Sequence, residues 1–232
     1  CGLVSVLFPE GARFAKPDEI IALDYPAGSG GFPDGFDAGG FFAKFSSIVV
    51  GPGLGISEAG AGIVRELLRT GKKILVDADG LTNLSGDLSC LRDAGGDVVL
   101  TPHIGEMSRL CGMPKEDIKL RRRAAAADFA RRHGVTLVLK DSVTLVASRD
   151  GELYLNDGGV PALAKGGSGD VLSGIIGSLM ARGLRGIDAA VLGVYLHTEC
   201  GRLAGRSLHP DAVNAGDLIG LLPRAFRTLS GR

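Results

Sequence analysis

Short β-branched apolar runs alternate along this chain with stretches of helical periodicity. That alternation restricts the fold more than any other feature, because it specifies a mostly parallel sheet with helices on both faces. The runs at 3–7, 47–50, 73–76, 98–100, 135–139, 144–147 and 153–155 read as strands. Helical patterns occupy 58–69, 115–132, 169–182, 188–204 and 215–229. Ser57 is placed to cap the first of these, and Gly71 and Gly134 stand where helices end. Ser148-Arg149-Asp150-Gly151, between two alternating runs, predicts a hairpin turn and so a local antiparallel piece near the end of the sheet. Residues 27–40, rich in Gly, Asp and Phe, read as a long surface loop. No internal repeat or low-complexity linker interrupts the pattern, so residues 1–232 are expected to form one domain.

In an open parallel sheet the carboxyl ends of the strands share one edge, and ligands bind in the crevice there. Several runs end in distinctive turns: Gly51-Pro52-Gly53-Leu54-Gly55, Asp77-Ala78-Asp79-Gly80, Thr101-Pro102-His103-Ile104-Gly105-Glu106 and Lys140-Asp141-Ser142. Their convergence at one edge would build an enzyme site from residues far apart in sequence. The glycine trio is either a ligand contact or a tight strand-to-helix connection. Asp77 and Asp79 are placed to hold Mg²⁺, to cap a helical turn or to brace a loop. His103, in a loop after a proline, is a ligand or proton-shuttle candidate, and Glu106 either starts a helix or positions it. Lys140 is either a point charge for a phosphate or a solvated strand terminus. His197 lies in an apolar helical run and reads as a satisfied core residue.

Lys165-Gly166-Gly167-Ser168-Gly169-Asp170 opens the helical run at 169–182. A helix start offers free N–H groups and a positive dipole end, which favour anions such as phosphates. Glycines let that backbone approach a ligand closely. Asp170 at the exit of the turn would stand beside the anion as a carboxylate able to take a proton. Val171, Leu172, Ile175, Ile176 and Leu179 then recur as one buried stripe.

Composition excludes several alternatives. With 26 basic and 26 acidic residues there is no electrostatic case for nucleic acid or an anionic membrane. Arg121-Arg122-Arg123 and Arg131-Arg132 read as the wet face of one helix. The 4 cysteines show no paired spacing and do not cluster with the 4 histidines, which argues against a zinc site and a disulfide framework and for a reducing cytoplasm. No signal peptide is present and no apolar run reaches the length of a membrane span.

Taken in order, Gly-Pro-Gly-Leu-Gly at 51–55, Val-Asp-Ala-Asp-Gly-Leu at 76–81, Leu-Thr-Pro-His-Ile-Gly-Glu-Met at 100–107, Val-Leu-Lys at 138–140, Ala-Lys-Gly-Gly-Ser-Gly-Asp-Val-Leu-Ser-Gly at 164–174 and Val-Tyr-Leu-His at 194–197 resemble the ribokinase-like ADP/ATP-dependent NAD(P)H-hydrate dehydratases. The resemblance implies a three-layer ribokinase-like fold. It implies dehydration of the S epimer of NADHX or NADPHX with ADP or ATP and Mg²⁺, through phosphorylation of the ring hydroxyl and loss of phosphate. It makes Asp170 the base. The amides of Gly166, Gly167, Ser168 and Gly169 become the anion hole, and Lys140, Asp141, Ser142, Val143 and Thr144 lie along the nucleotide. Gly53 and His103, with Asp170, face the hydrated dinucleotide, and no protein metal ligand is assigned. It further implies a homo-oligomer such as a tetramer, and in fused members an adjoining epimerase domain. The family's first strand–turn–helix has no counterpart here, because Gly2-Leu3-Val4-Ser5-Val6 matches its second strand. Gly158-Gly159-Val160 stands where the family often has Thr-Gly-Asn, and Ile104 stands where it commonly has Pro. Two other readings of the same residues are a vitamin-precursor kinase of that superfamily and a non-catalytic nucleotide-binding module.

Overall fold

In a computed structural model describing residues 2–12, 16–25 and 31–230, the alternating pattern resolves into two sheets, one of two strands and one of six. The strands β1 (Val4–Pro9) and β2 (Ile20–Tyr25) pair with each other. A short helix, α1 (Ala38–Phe42), leads to a six-stranded sheet. Its strands lie in chain order: β3 (Ser47–Val50), β4 (Lys73–Val76), β5 (Val98–Leu100), β6 (Thr136–Leu139), β7 (Thr144–Ala147) and β8 (Leu153–Asn156). From β3 to β6 the pairing is parallel; β7 and β8 return antiparallel through the expected hairpin at Ser148 to Gly151.

The layers follow from the two-residue period of the strands. Ile74, Val76, Val98, Leu100, Leu137, Leu139, Leu145 and Ala147 point to one core, while Leu75, Val99, Val138 and Val146 point to the other. The first core is covered by α2 (Glu58–Arg69), α3 (Asp79–Leu84), α4 (Ile104–Cys111), α5 (Lys115–Leu120) and α6 (Arg122–His133). The second is covered by α7 (Ser168–Ala181), α8 (Gly186–Ser207) and α9 (Ala215–Ser230). Ser57 caps α2 as expected, its side chain accepting from the Gly60 N–H at 3.0 Å, and Ile63, Val64, Leu67 and Leu68 bury that helix.

Three sequence expectations are corrected here. The single helix over 115–132 is two, because Arg121 leaves helical geometry (φ −120°, ψ 31°). Of the expected surface loop at 27–40, residues 27–30 lie outside the described part, and the remainder is not all surface. Phe32 and Phe36 stack at 4.5 Å and pack against the first core, and α1 begins at Ala38. The expected one sheet is two among the described residues: β1 pairs with β2, and β3 pairs with β4. Among the described residues no helix is long and apolar enough to cross a membrane.

Candidate active site

Parallel strands β3 to β6 deliver their exit turns to one edge, and hydrogen bonds beyond the strand ends tie the turns together. Asp77 N–H donates to Val50 O, Thr101 N–H to Val76 O, and Lys140 N–H to Pro102 O at 2.8 Å. His103 and Lys140 form a parallel bridge. Gly51 holds φ 127°, and a Cβ there would sit 1.8 Å from the Asp77 carbonyl oxygen, so only glycine lets these two exits meet.

The Gly51–Gly55 turn is braced from α3. Asp79 Oδ2 accepts from Gly55 N–H at 2.9 Å, and Asn83 bonds both Gly55 O and Ser57 N–H. Asp79 is thus a loop brace, one of the roles the sequence left open. Nothing lies within 4 Å of a Cβ built on Gly53, which therefore presents open backbone.

Asp77 is buried at 1% exposure, and its carboxylate has two partners. Lys140 Nζ lies 2.8 Å from Oδ1, and Ser173 Oγ donates to Oδ2 at 2.7 Å. A carboxylate in this position would be strongly destabilising without such partners. The Lys140 ammonium is thus neither a free phosphate clamp nor a solvated terminus. It is paired and still partly accessible, and it reaches the first turn of α7. A Cβ on Gly169 would lie 3.4 Å from Lys140 Nζ and 3.9 Å from Asp77 Oδ2.

The start of α7 has no side-chain cap: its N-cap is Gly167, at φ 80°. The Ser168 N–H reaches Lys165 O at 3.2 Å, while the next amides have no intrahelical acceptor by helix geometry. Asp170 sits in this turn at an exposed position, and among the described residues its carboxyl has no hydrogen-bond partner. Burial raises its pKa, the Asp77 charge raises it further, and Lys140 opposes them. Asp170 also lies at one end of a groove of about 460 Å³ between α7 and α9, lined mainly by Val171, Ile175, Leu179, Ile219, Leu222 and Phe226. A carboxylate with a raised pKa beside uncapped amides and a lysine can take a proton next to a bound anion.

The start of α4 is closed. His103 Nδ1 accepts from Gly105 and Glu106 N–H at 2.9 and 3.1 Å, and the Glu106 carboxylate accepts from His103 N–H at 2.8 Å. Glu106 therefore both starts the helix and fixes His103, whose ring remains more than half exposed. With Nδ1 accepting, the neutral ring carries its proton on Nε2.

The nucleotide segment expected at 140–144 is the turn between β6 and β7. Asp141, at an exposed position, pairs with Arg122 at 3.1 Å and accepts from Ser142 N–H. Arg122, expected on a solvated face, is thus a partner of this turn. Ser142 O lies 3.2 Å from a Cβ built on Gly159, so the segment after β8 packs on the same turn. Val143 and Thr144 lead into β7. His197 is buried and bonded, with Nε2 3.0 Å from Ser168 Oγ. Sequence reading missed the part played by Ser173; the signal was a hydroxyl three residues after Asp170 inside an apolar stripe. No group of three His, Cys, Asp or Glu among the described residues could hold a metal ion.

Comparison with known proteins bears on the family and the fold. A family model described as NAD(P)H-hydrate dehydratase matches residues 41–224. The chain is 40% identical over 210 residues to the ADP-dependent (S)-NAD(P)H-hydrate dehydratase of Neisseria meningitidis, covering 87% of this chain and 70% of that protein. Among solved structures it is similar to the ADP/ATP-dependent NAD(P)H-hydrate dehydratase of Bacillus subtilis co-crystallised with ATP/Mg²⁺ (28% identity, TM-score 0.74, covering 90% of this chain and 72% of that one). It is also similar to a ribokinase-like superfamily protein of Enterococcus faecalis (25% identity, TM-score 0.79, covering 97% and 77%). The chain spans less than half the length of some curated relatives that it matches, 44% and 36% of two of them. The fold is ribokinase-like, and the chain belongs to the NAD(P)H-hydrate dehydratase family.

Proposed function

We propose that this chain dehydrates the S epimer of NADHX or NADPHX back to NADH or NADPH, at the expense of ADP or ATP. The observation that carries the reading is the junction at α7: uncapped amides, Asp170 with a raised pKa, and the Lys140–Asp77 pair against the same turn. The family match and the dehydratases among its relatives support it. In this reading Asp170 removes the proton from the ring hydroxyl as that oxygen attacks the terminal phosphoryl group. The amides around Gly166–Gly169 hold the charge that develops on the phosphoryl oxygens, and Lys140 adds a cation beside them. Loss of phosphate from the ring carbon, with release of a proton from the adjacent ring carbon to solvent, then restores the ring double bond. Asp141, Ser142, Val143 and Thr144 line the nucleotide, and Gly53 and the exposed Nε2 edge of His103 contact the hydrated dinucleotide. Phosphates fit the uncapped helix start. Mg²⁺ would be held chiefly by the nucleotide. The reading includes a cytoplasmic homo-oligomer such as a tetramer, and an adjoining epimerase unit in a longer protein.

The test supplies the chain with ADP or ATP, Mg²⁺ and NADHX. Recovery of NADH absorbance with one inorganic phosphate per turnover is expected. A phosphorylated product that persists would reassign the protein as a kinase.

For the domain, we propose that residues 1–232 are one unit completed by a further parallel strand between β1 and β3, followed by a helix. Val4 of β1 and Val49 of β3 are 45% and 40% exposed, high for apolar strand residues. The strand β3 steps to β4 with α2 over the first core. A right-handed crossover stepping the opposite way, from the added strand to β1, places its helix over the second core. There the α7/α9 groove is apolar and uncovered. Amide exchange checks this: the β3 amides should exchange faster in this chain than in a longer natural protein that carries the segment, and equal protection would overturn it.

A further inference from the structure

The side chain of Ser168 is withheld from the helix it begins. A hydroxyl in the first turn of a helix competes for the free amides there. In α7 those amides are the proposed phosphoryl site, so a self-bonding serine would occlude it. Ser168 is 4% exposed, and its Oγ shares a hydrogen bond of 3.0 Å with Nε2 of His197, itself 8% exposed, in the middle of α8. The helices that carry this pair bury Leu172, Ile176, Val194, Leu196 and Cys200 in the second core, and the Lys140 charge also reaches His197. A buried polar pair in such a layer is held for position more than for stability.

The same turn of α8 fixes the opposite wall. Thr198 accepts from the Asn156 amide at 2.7 Å at the end of β8, and a Cβ on Gly158 would meet Thr198 Cγ2 at 2.4 Å. Residues 197 and 198 therefore touch both the start of α7 and the segment that packs on the Ser142 turn. Burial lowers the pKa of His197 to about 4, so its ring is neutral near pH 7.

Resting on the reading given under Proposed function, we propose that His197 is a positioning residue, which holds the Ser168 hydroxyl inward and so keeps the first-turn amides of α7 open to the phosphates of the nucleotide. It touches neither substrate nor nucleotide and acts through Ser168.

The experiment is a double-mutant cycle read by ADP binding, with calorimetry on the unmodified chain first. Ser168→Ala keeps its backbone amide and loses only the hydroxyl, so its ADP affinity is the reference for a turn with no hydroxyl to compete. His197→Phe, which frees the hydroxyl, should bind about five- to tenfold more weakly, the range of one competing hydrogen bond. The double variant should return to the Ser168→Ala value, since no hydroxyl is left to compete. A purely structural loss would not be rescued in this way. His197→Gln keeps a hydrogen-bonding group and should bind like the unmodified chain; it replaces the Phe variant as the comparison if the latter melts below assay temperature, a loss of binding in folded Gln protein then counting against the proposal. The inference is overturned if the double variant stays as weak as His197→Phe, if His197→Phe binds normally, or if Ser168→Ala alone loses tenfold. No ADP binding by the unmodified chain would instead sink the functional reading, and this inference with it.

Discussion

Two helices begin at the carboxyl edge of the sheet, and they begin in opposite ways. At α4 the first-turn amides of Gly105 and Glu106 are taken by His103 Nδ1, and Glu106 takes the His103 amide in return. At α7 the N-cap is a glycine without a side chain, and the nearest hydroxyl, Ser168, is turned away toward His197. Both starts carry the same positive dipole end. One has satisfied it internally, and the other leaves it for a ligand. The difference lies in which side chains are spent on closing the turn, since both turns are glycine-containing and both follow polar residues.

The comparison breaks first at Asp170. Asp170→Asn should lower kcat about 10²–10⁴-fold, the usual worth of a general base, while ADP still binds. The same change should stabilise the fold. Burial and the Asp77 charge raise the Asp170 pKa in the folded protein. Stability is therefore unaffected well below the unfolded value of about 3.9, falls as pH rises through the interval up to the raised folded value, and stays lowered above it. Asn removes that penalty, so the melting temperature of the variant should exceed that of the unmodified chain at neutral pH. The gap should close as the pH is lowered below the normal aspartate range. Thermal scans across pH measure it; unchanged turnover in the Asn variant would end the catalytic assignment.

Lys140 comes next. Lys140→Met leaves Asp77 buried with Ser173 alone, and loss of one partner from a buried ion pair costs about 3–5 kcal/mol. Chemical denaturation reads that loss directly. Turnover requires ionised Asp170, and Lys140 is the group that lowers its pKa against burial and Asp77. Without the lysine the acid limb of the pH–rate profile should move to higher pH. Because the side chain is also a cation beside the α7 turn, ADP affinity should fall as well. A stable variant with an unmoved acid limb would show that Lys140 lies outside the electrostatics of the site.

The legibility of this chain divides along physical lines. Strands β3, β4 and β5 coincide with the apolar runs because a buried parallel sheet demands continuous β-branched sequence, which little else produces. Helix α3 left no such trace: it is 6 residues long and follows Ala78, a non-glycine residue at φ 48°. The gap in the 115–132 helix was equally hidden, since Arg121 is a good helix former, yet it stands at φ −120° between α5 and α6. At the site, the turn at 165–170 was readable because glycines at a helix start have few other uses. The partners of Asp77 were not, because Lys140 lies 63 and Ser173 96 residues away in the chain. Sequence offered Asp77 as a metal ligand, cap or brace, and nothing local to it pointed to an ion pair with Lys140. His103 was read for its ring and not for its Nδ1, which a capping pattern three residues before a glutamate could have indicated.

The smallest effect sharpens the contrast between the two helix starts. His103→Ala removes one half of the α4 cap, a change that typically costs about 0.5–2 kcal/mol. The Glu106 carboxylate can still accept from the backbone N–H at position 103, so the lower part of that range is expected. If α4 is closed for structural reasons and α7 is the anion site, ADP affinity should stay within about twofold of the unmodified chain, the scatter expected for distant independent sites. The KM for the hydrated dinucleotide should rise, because the exposed Nε2 edge is lost along with the cap. Parallel measurement of stability, ADP binding and substrate KM separates these contributions. A matching loss of ADP affinity would place phosphate at α4 as well, and the distinction between a closed and an open helix start would no longer hold.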